Sequence, residues 1–140
     1  VVDMEAIGIG QAAVEMGVNY AKERRVFDRA IGENQAVAHP LAKVWAQLEA
    51  AENLALKAGW LYDNGRSCGK EANAALLLGA QAGFEAADVA LQTHGGFGYA
   101  REYHIERLWR EVRLSRLAPL SEGMILNYLS HNVLGLPRSY

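Results

Sequence analysis

One run of residues restricts this chain more than any other. Val37, Leu41, Val44, Leu48, Ala51, Ala55, Ala58 and Tyr62 recur at alternating spacings of four and three residues. Apolar positions repeating every 3.5 residues describe a helix that seats one stripe against near-parallel neighbours. A strand would need alternation by two, and alternation never lasts here. Pro40 lies close to the start of the run, so the helix either begins near His39 or carries a kink in its opening turns. Asp63-Asn64-Gly65 ends it.

Other helical segments surround this one. The first is expected from about Val2 to Arg25, with Ile7, Val14 and Val18 among its apolar positions, and a connector follows from Phe27 to Asn34. The third runs from about Lys70 to Gln92. One face of it carries Ala72, Leu76, Gly79, Gly83, Ala86 and Ala90. Each interior glycine costs about 1 kcal/mol against alanine, which makes sense if another helix or a ligand comes close. A fourth helix is expected from about Glu102 to Leu117, with Ile105, Leu108, Trp109, Val112 and Leu117 inward, until Pro119 breaks it. Ser121 is a good N-cap for a shorter fifth helix with Ile125, Leu126, Leu129 and Val133 on its apolar side. The predicted fold is therefore all-α: an up-and-down four-helix bundle with a short additional C-terminal helix.

With 140 residues and 51% hydrophobic content, the chain suits one domain with one core. Val1 is not a start methionine, and the opening reads as helix without a capping residue; the expectation is the last domain of a longer protein, ending in an irregular tail from Leu134 to Tyr140. The formal charge is −2, with acids and bases interspersed. No basic face for nucleic acid and no polybasic arm for lipid stands out. The apolar runs are short and broken by charge, so no membrane span is expected. Without a signal or transit segment in view, the expected location is the cytoplasm, or the mitochondrial matrix in a eukaryote.

Metal chemistry finds no support in the spacing. A di-iron bundle needs Glu-x-x-His pairs, and none occurs. His39, His94, His104 and His131 are scattered, and Cys68 is a lone cysteine. The serines lack a glycine elbow. Glu49/Glu52 and Glu102/Glu106 have the spacing of solvated helix faces. Two other features point to a ligand. Gln92-Thr93-His94-Gly95-Gly96-Phe97-Gly98-Tyr99 closes the small-residue helix with a glycine turn. Such a turn leaves backbone N–H groups open to an anionic group, although a plain glycine cap would look the same. His94 lies in it, where a ring could stack or donate. Arg24 and Arg25 stand at the end of the first helix. There they complement its dipole or hold a phosphate.

In this order the pieces resemble the C-terminal domain of the acyl-CoA dehydrogenase flavoprotein family, over essentially the whole chain. Tyr20-Ala21-Lys22-Glu23-Arg24-Arg25-Val26-Phe27 is similar to its Tyr-Ala-x-x-Arg-x-x-Phe segment, and Ile31-Gly32-Glu33-Asn34-Gln35 to its Ile-Gly-x-x-Gln. The glycine turn resembles Gln-x-x-Gly-Gly-x-Gly. Glu102-Tyr103-His104-Ile105-Glu106-Arg107-Leu108-Trp109-Arg110 resembles Glu-Tyr-Pro-Val-Glu-Arg-x-x-Arg. The resemblance implies a homotetramer in which FAD lies across a subunit interface. Positions matching Arg24, Phe27 and Gln35, together with Gln92, His94, Gly95 and Gly96 of the turn, would meet a neighbouring subunit's FAD. Ser121 would begin a helix near the flavin of its own subunit. The implied reaction is α,β-dehydrogenation of an acyl-CoA thioester, with hydride passing to flavin and electrons leaving through an electron-transfer flavoprotein. The alternative is a non-catalytic helical oligomerisation module.

The chain departs from that pattern at one telling place. Many members carry the catalytic glutamate in a Tyr-Glu-Gly-Thr segment, and Ala118-Pro119-Leu120-Ser121 stands here instead. Proline cannot act as a base. Two positions remain, one just upstream of Val1, which is preferred, and Glu122. Asp28 also replaces the glycine after Phe27, and Ala30 a usual proline.

Overall fold

The computed structural model describes residues 2–138. Expectations for Val1, Ser139 and Tyr140 lie outside the described residues. Five α-helices make the bundle: α1 (Val2–Glu23), α2 (Gln35–Asp63), α3 (Gly69–His94), α4 (Ile105–Arg113) and α5 (Glu122–Tyr128). α3 is the central element and packs on α1, α2 and α4. The all-α, up-and-down arrangement is as the sequence predicts.

The stripe on α2 is buried from Leu41 through Val44, Leu48, Ala51, Ala55 and Ala58. Its last turn differs from the expectation. Leu61 turns inward and Tyr62 is exposed, because a 3.6-residue helix drifts off a 3.5-residue repeat. The helix also starts earlier than His39. The Asn34 carbonyl accepts from the Val37 and Ala38 amides, both at 2.9 Å, so Pro40 sits within the helix and forfeits only one rung near its start.

α1 and α3 run side by side in the same direction, with α2 and α4 antiparallel to them. The small residues set this closeness. A methyl on Gly10 would come 2.9 Å from Gly83 Cα and 2.8 Å from Leu48 Cδ2. One on Gly83 would strike the Ala6 carbonyl and lie 3.1 Å from Val112 Cγ2. A heptad further on, one on Gly17 would lie 3.3 Å from Ala90 Cα. The buried face of α3 is wider than the expected stripe. Ala75, Ala80, Ala82 and Ala87 join Gly79, Gly83, Ala86 and Ala90, whereas Ala72 and Leu76 are half-buried. Glu71 is buried as well, between Lys57 at 3.3 Å and Lys70 at 3.6 Å. By length and composition, the segment from Gly69 to Tyr99 could cross a bilayer, contrary to the expectation that no run would. Of its most apolar stretch, 44% is buried inside the bundle.

Three local features depart from the sequence reading. The connector after α1 forms a small antiparallel hairpin, β1 (Arg25–Val26) with β2 (Arg29–Ala30). Both turn residues, Phe27 (φ 52°) and Asp28 (φ 63°), are left-handed, as a two-residue hairpin turn matched to strand twist requires. Two-residue strands are too short for any periodicity to reveal. The expected fourth helix is broken: Arg101–Tyr103 is a 3-10 turn, His104 is left-handed at φ 60°, and only then does α4 begin. Ile105 and Val112 are fully buried, but Leu117 is 60% exposed. On α5, Ile125 is buried while Leu126 and Val133 face outward.

Gly83→Ala is expected to lower stability by about 1–3 kcal/mol through overpacking. Gly59 is the control, since nothing lies within 4 Å of an added Cβ on that exposed turn of α2. Gly59→Ala should stabilise by about 0.5–1 kcal/mol. Thermal unfolding of the two variants measures both.

Candidate functional site

The same-direction pairing of α1 and α3 brings their C-terminal ends together. A groove of about 440 Å³ opens there, lined by Tyr20, Arg24, Val26, Ile31, Thr93, His94, Gly95, Gly96 and Phe97. Tyr20 and Arg24 are one helical step apart, so they share a face. The Arg24 amide bonds the Tyr20 carbonyl at 2.8 Å as α1 ends, and the Ile31 amide returns to the Arg24 carbonyl at 2.9 Å. These bonds hold the hairpin over one side of the groove.

The floor is aromatic. His94 is 5% exposed. Its ring stacks on Tyr20 with centroids 4.3 Å apart and meets the edge of Tyr103 at 5.8 Å. His94 Nδ1 lies 2.7 Å from the Ala90 carbonyl oxygen. Phe97 packs against Tyr103 at 5.3 Å and beneath the Arg24 guanidinium at 5.7 Å. Among the described residues Arg24 has no acidic partner, so its fork of donors is free apart from the ring face.

The three glycines of the turn serve different ends. Gly98 is buried, and a methyl there would lie 3.1 Å from His94 Cβ. Gly95 takes φ 59° as it ends α3. Gly96 is forced by neither demand: nothing lies within 4 Å of an added Cβ. Gly95 and Gly96 therefore leave a stretch of main chain uncovered beside Arg24. Helix C-termini carry partial negative charge. An anion here must be held by Arg24 and the turn rather than by the dipoles of α1 and α3.

Of the sequence-predicted site residues, Arg24, His94, Gly95 and Gly96 converge on this groove. Phe27 is 94% exposed at the hairpin tip, while Gln35 and Gln92 are exposed and outside the lining. Tyr20, Val26, Ile31, Thr93 and Phe97 were not singled out, although all but Thr93 and Phe97 lie in the two segments flanking Arg24, and those two sit inside the glycine turn. Ser121 belongs to a separate region. Its Oγ accepts from the Met124 amide at 3.4 Å at the start of α5.

Glu122, one of two positions considered for a base, is already engaged. Arg116 Nε donates to its Oε1 at 2.6 Å. That hydrogen bond, outweighing partial burial, holds the Glu122 carboxyl below the usual carboxylate range, and Gln81 and Arg113 add to the effect. A carboxylate so stabilised is a weaker proton acceptor.

The family model described as acyl-CoA dehydrogenase, C-terminal domain, matches residues 1–124. Acyl-CoA dehydrogenase FadE12 of Mycobacterium tuberculosis is 41% identical over 137 residues, covering 96% of this chain and 35% of its own length. The 3-(aryl)acrylate reductase of Clostridium sporogenes is 43% identical over 110 residues, 79% of this chain and 29% of its own length. The butyryl-CoA dehydrogenase of Megasphaera elsdenii superposes with a TM-score of 0.92 at 28% identity, over 95% of this chain and 35% of that one. The chain thus spans about a third of the length of these relatives.

The Arg116–Glu122 bond yields a pH prediction. With the folded carboxyl titrating below its unfolded value, the stabilisation is present above the usual carboxylate range and is lost as pH falls through the folded value. Glu122→Gln should lower Tm at neutral pH. As pH falls through and below the usual carboxylate range its unfolding curve should approach that of the parent, as thermal scans at neutral and acid pH would show.

Proposed function

Because the chain belongs to the acyl-CoA dehydrogenase family, as its C-terminal domain, we propose that it builds part of an FAD site and an oligomer interface in a longer flavoenzyme that dehydrogenates acyl-CoA thioesters. One observation carries the flavin assignment: the unpaired Arg24 guanidinium and the uncovered Gly95–Gly96 backbone face the same aromatic-floored groove. This donor set suits a pyrophosphate, and the flat apolar walls suit ring and sugar. The groove holds part of a dinucleotide rather than all of it, in keeping with a cofactor shared between subunits. That Ser121 lies outside the lining of the groove fits the same scheme, in which one subunit touches two different FAD molecules.

When bound, FAD supplies the hydride acceptor. The chain's own residues hold and orient it. Arg24 neutralises phosphate charge, Phe97 keeps the guanidinium in place from below, and the hairpin with Phe27 at its tip covers the edge. Gln35 and Gln92, exposed outside the lining, are amides able to meet a polar edge of the cofactor. Removal of the α proton needs a carboxylate of ordinary basicity. With Pro119 at the family's position and Glu122 bound to Arg116, we assign the base to the residue position just before Val1. The thioester specificity, the tetramer and delivery of electrons to an electron-transfer flavoprotein belong to the same proposal.

Full-length protein is expected to purify yellow, with a flavin absorbance band that bleaches anaerobically when a matching acyl-CoA is added. Arg24→Ala should weaken FAD retention about tenfold or more, since charge-assisted bonds contribute about 1.5–3 kcal/mol. A colourless oligomer, unaffected by that substitution, would instead favour a scaffold module.

A further inference from the structure

His94 is among the most buried residues of the groove, and its chemistry is more tightly specified than that of its neighbours. Nδ1 at 2.7 Å from a carbonyl oxygen must carry a proton, because two lone pairs cannot face each other at that distance. Turning the ring over would put a carbon there instead and lose the bond. In the neutral imidazole, Nε2 is then an acceptor. No protein donor reaches it among the described residues, and it is not among the sealed, partnerless atoms, of which Gln47 Oε1 is the only one described. The small exposed part of His94 opens on the groove.

Resting on the flavin-binding reading, we propose that His94 serves the dinucleotide as a hydrogen-bond acceptor of fixed tautomer. It reads a hydroxyl or amino donor of the sugar, ribityl or adenine parts, while the phosphates lie toward Arg24 and the uncovered turn. The sign follows from charge. A neutral Nε2 lone pair repels a phosphate oxygen and attracts a hydroxyl or amino donor. The groups facing the ring are Tyr20 from α1, Tyr103 from the 3-10 turn, and Arg24 and Phe97 near the groove.

The test is FAD binding to the deflavinated full-length protein, followed by flavin fluorescence. His94→Gln, whose Oε1 accepts, should bind within about threefold of the parent, whereas His94→Phe, which keeps a stacking ring but no acceptor, should bind up to about tenfold more weakly. If His94→Phe fails to fold, His94→Leu, also without an acceptor, takes its place. A variant without an acceptor that binds as tightly as the parent would remove His94 from the contact and overturn the proposal. A parent that binds no FAD overturns the flavin reading itself, which separates the two failures.

Discussion

The close approach of α1 and α3 is the constraint from which the remaining architecture follows. Gly10 faces Gly83, and Gly17 faces Ala90, one heptad on. Two helices in van der Waals contact at their backbones leave little room for sliding, so their register is set by where methyl groups are missing. Leu48 of α2 and Val112 of α4 close over the same point from either side. The bundle's core is consequently rich in alanine, with Ile7, Val44, Leu48, Ile105 and Val112 as its largest fully buried members.

That register has a functional consequence. α1 and α3 point the same way, so both end at one pole of the bundle, and Tyr20 meets His94 there. Two helix C-termini make this pole intrinsically unfavourable for an anion. At this pole stand Arg24, without an acidic partner among the described residues, and a glycine turn that folds back on α3. The aromatic stack beneath them is a rigid floor, and it leaves His94 with one open nitrogen. On the proposed reading, an anion bound at this pole would be held locally, by a few donors placed by backbone geometry.

Much of this was legible in the residues. The α2 stripe from Leu41 to Ala58, the glycine turn, the arginine at the end of α1 and the Ser121 cap all stand where the pattern places them. The hairpin did not announce itself, since two-residue strands have no period and Phe27 is an unusual left-handed residue. The break at His104 was hidden for a related reason: a short amphipathic run of charged residues continues the helical pattern straight through it. Leu117, Leu126 and Val133 read as core because periodicity reports which residues share a face, and says nothing of whether a partner covers that face.

Sequence alone determined the fold class, the helix count and the family, because each rests on spacing along the chain: a 3.5-residue repeat, turn residues at its ends, and four motifs in order. Tertiary structure alone decided which candidates meet. Arg24, His94, Gly95 and Gly96 share a groove, Ser121 and Glu122 occupy a different region, and Glu122 is bound to Arg116. Distances between helices depend on how missing methyl groups let backbones settle against each other, and no one-dimensional pattern encodes that contact until the chain has folded.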